Sequence, residues 1–230
     1  MKYSKEVLGK GHKDLVIIFP HWQAQKFFYF WLARALSKNN CVLLYSYTGD
    51  ILSSDISKTL KNFQTIRDDA DAYIENNKYK KVSVVGYSTG SFLSFLLAKK
   101  NQKISKIATV SIASRFSDVI WHNIRHYGVS RIKKELVSRN ISQDELEKAW
   151  RPISPEDNLD KIKAVVLLIL SEGDKTVKYK FALELLEKIK TNKINCQIIT
   201  RKYLPHSLAV FISLLKIARI VKFVNNYEQD

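Results

Sequence analysis

The chain has 230 residues, 46% of them apolar, which is enough for one domain built on a single sizeable core. Seven glycines and four prolines leave no composition for a linker or a low-complexity tract, and the apolar stretch at 207–224 is broken by Lys216, Arg219 and Lys222, so no membrane span is expected. The formal charge of +16 suits anionic surfaces, but the lysines are spread over helix ends among many asparagines and isoleucines, and without a recognition motif no specific nucleic-acid partner follows.

Met1–Glu6 lacks an apolar leader, which sets the expectation of a cytoplasmic protein. Residues 1–13 have room for one short edge strand. Asp14–Phe19 is a β-branched apolar run that predicts a buried strand, ending at Pro20-His21-Trp22-Gln23. A helix is predicted over Ala24–Lys38, with Phe27, Phe30, Trp31 and Ala35 on its core side. Strand Cys41–Tyr45 and helix Ser57–Asn76 follow, the latter carrying Leu60, Phe63, Ile66, Ala70 and Tyr73 at core spacing.

Val82–Val85 predicts the next strand, and it runs into Gly86-Tyr87-Ser88-Thr89-Gly90 and an apolar helix over Ser91–Lys99. A Gly-x-Ser-x-Gly turn between strand and helix is a nucleophile elbow, which holds Ser88 in a strained pose with its hydroxyl pointing out of the fold. Ile107–Ser111 is a further strand. Residues 115–150 break the rhythm with helical and aromatic segments. After Arg151-Pro152-Ile153-Ser154-Pro155 the alternation resumes with strand Ala164–Leu170, helix Lys178–Lys190, strand Asn195–Thr200 and one long closing helix from near His206. Alternating buried strands and amphipathic helices predict an α/β chain with a mostly parallel central sheet and helices on both faces.

Asp174, in Ser171-Glu172-Gly173-Asp174, directly follows the strand ending at Leu170, and His206 follows the last strand. Ser88, Asp174 and His206 therefore fall at strand ends on one rim, in the order nucleophile, acid, base. Asp118 is a second candidate acid. His122 and His126, a helical turn apart, have no acidic partner that would make a metal site and read as solvated. Cys41 and Cys196 each open a strand and lie in no CxxC-like spacing, so neither a metal nor another cofactor is expected.

Over nearly its whole length the chain resembles a small serine hydrolase of the α/β-hydrolase fold. The residues that carry the resemblance are Phe19-Pro20-His21-Trp22, Gly86-Tyr87-Ser88-Thr89-Gly90, Ser171-Glu172-Gly173-Asp174 and Pro205-His206-Ser207. It implies one domain over 1–230 with a helical cap insertion at about 115–155, and a catalytic set of Ser88, Asp174 and His206. The family places His-Gly after its first central strand. Aligning Pro20-His21 with that pair makes the backbone N–H of Trp22 one oxyanion donor, with that of Thr89 as the other; His21 is the alternative to Trp22. His21, Tyr87, Phe116 and Trp121 are candidate substrate-pocket residues.

A serine nucleophile favours acyl transfer, so the expected function is cleavage of carboxylic esters, or of thioesters, as small-molecule substrates through an acyl-serine intermediate. A thioesterase or acyltransferase on an anionic carrier, and a non-catalytic binding module on the same fold, are the alternatives.

Overall fold

The computed structural model describes residues 1–123 and 126–226. Residues 124–125 of the predicted insertion, and 227–230, lie outside the described residues. The chain forms seven strands among the described residues: β1 (Tyr3–Leu8), β2 (Asp14–Phe19), β3 (Cys41–Tyr47), β4 (Lys81–Tyr87), β5 (Ile104–Val110), β6 (Val165–Ser171) and β7 (Cys196–Arg201). They make one sheet in the order β1-β3-β2-β4-β5-β6-β7, parallel throughout except for the antiparallel edge strand β1.

Because both faces of the sheet are covered at its centre, β2 to β6 are buried on both sides, whereas the edge strands β1 and β7 are partly exposed, and the two-residue period divides the core in two. Leu15, Ile17, Phe19, Val82 and Val84 face α2 (Ile56–Glu75), α3 (Thr89–Lys100) and α7 (Tyr179–Thr191). Val16, Ile18, Val85 and Tyr87 face α1 (Lys26–Leu36), α8 (His206–Leu215) and α9 (Ala218–Asn225). Between β5 and β6 the chain inserts α4 (Phe116–Trp121), α5 (Tyr127–Ser138) and α6 (Gln143–Trp150). This insertion is joined to the body through the Phe116 ring, which lies 5.1 Å from Phe63 and 4.7 Å from Phe92, centroid to centroid, and 5.2 Å from Trp150 of α6.

Two features differ from the sequence reading. In α1 the buried stripe is Tyr29, Leu32, Ala33 and Leu36, whereas Phe27 and Trp31 are exposed. Aromatic residues lie all round this helix, so periodicity offers two stripes and the sheet takes the one with the slimmer aliphatic side chains. The closing segment is two helices, α8 and α9, broken at Lys216. The break turns Ile220, Phe223 and Val224 of α9 onto the sheet.

Strand order reverses beside β2: the chain goes from β2 to its neighbour β3, then back across to β4 on the other side. A crevice at such a reversal opens at the carboxyl ends of β2 and β4, where open α/β sheets bind ligands.

Candidate active site

The crevice is built by two close approaches. Phe19, the last residue of β2, is in register with Gly86 of β4. A Cβ on Gly90 would lie 2.0 Å from the Phe19 carbonyl oxygen, and one on Gly86 would lie 2.4 Å from that of Gly90. Only glycine lets α3 start this close to β2. Between them Ser88 has φ 49° and ψ −114°, a backbone pose that costs about 1–3 kcal/mol and persists because its surroundings impose it. Its N–H donates to Val110 O at 2.8 Å, and Ser91 Oγ donates to Gly86 O at 3.0 Å, which fastens the elbow to β5 and to itself.

Asp174 sits in the β6–α7 turn and is almost fully buried. Its Oδ1 accepts N–H groups from Thr176 at 2.9 Å and Val177 at 2.8 Å, and its Oδ2 receives His206 Nδ1 at 2.7 Å. The turn reaches the histidine because Gly173 packs against the backbone of Tyr203, 2.5 Å from where a Cβ would stand, and Ser171 Oγ donates to Leu204 O at 2.6 Å. A buried carboxylate with every bond directed holds the imidazole in the Nδ1–H tautomer, leaving Nε2 as a base. Ser88, Thr89 and His206 all line one cavity of about 480 Å³.

Asp118, the other candidate acid, is buried elsewhere. Arg115 Nε donates to its Oδ2 at 2.9 Å and Gln143 Nε2 to its Oδ1 at 3.1 Å, so it organises the inserted helices. His122 and His126 do not share a helix: His122 ends α4 and stacks on Phe181 at 5.2 Å, whereas His126 precedes α5 and lines the cavity. Among the described residues no group of three His, Cys, Asp or Glu side chains is arranged to hold a metal ion.

The loop after β2 is held from three sides. Tyr47 Oη donates to Pro20 O, the His21 N–H donates to Tyr29 Oη at 3.1 Å, and Trp22 Nε1 donates to Gly49 O at 2.6 Å. His21 N–H is thus already engaged. The amides of Trp22 and Thr89 have no acceptor among the described residues, and both residues line the cavity. The Tyr29 hydroxyl also meets His21 Nδ1 at 2.5 Å, so it partners both the backbone and the ring of His21. Burial, with His206 and His126 nearby, pushes the His21 imidazole down to about 4, so it stays neutral at ordinary pH. Burial lowers His126 as well.

Of the four candidate pocket residues, His21 and Phe116 line the cavity and Tyr87 and Trp121 do not. Tyr87 continues the β4 alternation onto the opposite sheet face, where it meets Tyr29 edge-on at 5.0 Å. Trp121 packs against the core under Lys133, 5.3 Å from its ring. The walls come instead from Leu52, Phe92, Val119, Ile120, Val129, Val210, Phe211 and Leu214, together with Phe28. Tyr29 escapes sequence reading because nothing local distinguishes a core tyrosine from one that holds a loop.

The solved structures this chain is similar to share its fold at low identity. An esterase from Pyrococcus furiosus superposes with TM-score 0.67 at 16% identity, covering 99% of this chain and 92% of the esterase. A monoacylglycerol lipase from Paleococcus ferrophilus gives 0.63 at 15%, over 97% and 98% of the two chains. The acylaminoacyl peptidase of Pyrococcus horikoshii gives 0.71 at 15%, over 99% of this chain but only 40% of the larger enzyme. No curated protein matches. The family model for the prolyl oligopeptidase family matches residues 61–229, from α2 through the elbow to the closing helices. With that match over most of its length and the α/β-hydrolase fold, the chain belongs to the prolyl oligopeptidase family and is a serine hydrolase.

Proposed function

We propose that the chain is a carboxylic-ester hydrolase that works through an acyl-Ser88 intermediate. The observation that carries the proposal is the 2.7 Å Asp174–His206 pair at the edge of the apolar cavity onto which Ser88 opens. In this reading His206 Nε2 takes the Ser88 proton as Oγ adds to the acyl carbon, and Asp174 stabilises the imidazolium. The oxyanion is received by the Trp22 and Thr89 amides, which line the cavity and have no protein acceptor among the described residues. His206 then protonates the departing alcohol, and a water activated in the same way releases the acid.

Esters are favoured over peptides by the lining. Among the described residues no Asp, Glu, Lys or Arg lines the cavity, so it suits an acyl chain and offers a peptide no charged anchor. Helices α4–α6 act as the cap, contributing Phe116, Val119, Ile120 and Val129 to the walls. The test is turnover of p-nitrophenyl esters from acetate to palmitate beside an aminoacyl p-nitroanilide, on wild type and Ser88→Ala. Ester turnover that Ser88→Ala abolishes is the expected result. Faster release from the anilide would make the chain a peptidase. If neither substrate turns over and a fluorophosphonate fails to label Ser88, the chain is a binding module.

A further inference from the structure

The cavity opens onto an apolar face. Phe28 of α1 and Phe211 of α8 line the cavity and are each nearly half exposed. Beyond them on the same two helices, which touch each other, Phe27, Trp31 and Leu215 are 70%, 61% and 67% exposed. Six of the eleven exposed large apolar side chains among the described residues belong to α1 and α8, Leu208 being the sixth. Scattered exposed apolar residues need no explanation, but a group that encircles a cavity mouth marks an interaction site.

Charge follows the same segments. Residues 15–49, which include α1, hold Lys26, Arg34 and Lys38 and no Asp or Glu. Residues 188–227, which include α8 and α9, hold eight Lys or Arg and again no Asp or Glu. Of these cations Lys188 and Lys190 lie on α7 across the sheet and Lys26 meets Glu6 at 4.0 Å, whereas Arg34, Lys38, Lys216, Arg219 and Lys222 belong to or follow the helices that carry the exposed apolar side chains. Arg34 continues the Phe27–Trp31 face at helical spacing; the exposed Lys216 follows Leu215 directly, and the exposed Arg219 stands in the first turn of α9.

We propose that the α1–α8 face docks on an anionic lipid bilayer, apolar side chains inserted and cations against the headgroups, so that ester substrates pass from the bilayer into the Ser88 cavity. The delivery step rests on the ester-hydrolase reading; the docking does not. An apolar centre flanked by segments with a net excess of cations matches an anionic interface. A second copy of the chain is a poor occupant, since a two-fold contact would set this cationic face against itself.

The test uses the Ser88→Ala chain, so that binding is read apart from turnover, with sucrose-loaded vesicles of phosphatidylcholine alone or mixed with phosphatidylglycerol. Co-sedimentation with the mixed vesicles, weakening with salt, and a blue shift of Trp31 fluorescence are expected. Phe27→Ser with Trp31→Ser should weaken binding about tenfold or more. Lys216→Gln with Arg219→Gln should weaken it roughly twenty-five-fold, about fivefold per charge. None of these four residues lines the cavity, so in an otherwise wild-type chain both pairs should leave turnover of a soluble short-chain ester unchanged. Vesicle binding by a chain that cleaves no ester would sink the hydrolase reading alone. The docking proposal is overturned if the Ser88→Ala chain ignores mixed vesicles, if both double variants bind undiminished, or if sedimentation velocity finds the face closed by a second copy.

Discussion

Removing one oxygen atom tests how the oxyanion loop is held. Tyr29 is fully buried, and its hydroxyl accepts the His21 N–H at 3.1 Å while meeting His21 Nδ1 at 2.5 Å. Tyr29→Phe keeps the ring and its edge-on contact with Tyr87 but leaves two polar atoms of His21 without a partner. An unsatisfied buried group costs about 1–3 kcal/mol. Because His21 borders the cavity, where water can replace part of the loss, the expected destabilisation is about 2 kcal/mol in total. In a chain of this size that lowers Tm by about 4–8 °C. The consequence for catalysis is larger than the cost to the fold. In the proposed mechanism the released His21 amide competes with that of Trp22 for the oxyanion, and loss of one such donor costs about a hundredfold in kcat. A loosened rather than absent donor should cost about tenfold, with KM little changed. Thermal unfolding by circular dichroism and kcat on p-nitrophenyl butyrate measure the two effects. A variant whose Tm and kcat both match wild type would refute the claim that this hydroxyl positions the loop.

Three further perturbations follow from the same geometry. Asp174→Asn should lower kcat by about 10⁴, because an amide NH₂ facing His206 Nδ1 selects the wrong tautomer, while Asp118→Asn should cost stability through Arg115 and leave kcat within tenfold; equal losses in steady-state assays would contradict the assignment of Asp174. Gly90→Ala drives a methyl group to 2.0 Å from the Phe19 carbonyl, so β2 and α3 must part, and a loss of about 2–3 kcal/mol with little residual turnover is expected in denaturant titrations; near wild-type values would show that the crevice tolerates opening. The third concerns pH. His21 is neutral in the fold down to about 4 but gains its proton near 6.5 when unfolded, so the unfolded chain binds more protons in that window. Its contribution is fully present above 6.5 and is lost as pH falls to about 4, up to about 3 kcal/mol. The stability difference between wild type and His21→Gln, measured from pH 7 to 4, should shrink by that order; a difference that stays flat would argue against a buried neutral His21.

Much of the fold was legible because burial on both sheet faces demands continuous apolar strands, and β2 begins and ends where the Asp14–Phe19 run does. The elbow was legible as a local pattern, two glycines at fixed offsets from a serine between a strand and a helix; Gly86 is required by the neighbouring Gly90 and Ser94, whereas Gly90 is required by the distant Phe19 and Pro20 of the strand beside it. The strand-end positions of Asp174 and His206 follow from the alternation alone. What the sequence could not decide were questions of which face and which neighbour. Asp118 and Asp174 both follow strands, and only the packing of the Gly173 turn against Tyr203 brings one of them to His206 while Arg115 occupies the other. Tyr87 adjoins Ser88 in sequence yet lies on the opposite sheet face, because the strand alternation carries through to the last residue before the elbow. In α1, two aromatic stripes compete, and only the docked sheet determines that Tyr29 goes inward to hold His21 while Phe27 and Trp31 remain outside beside the cavity mouth. Local chemistry wrote the strands and the turn into the sequence, whereas the partners of each buried polar group exist only once distant segments meet.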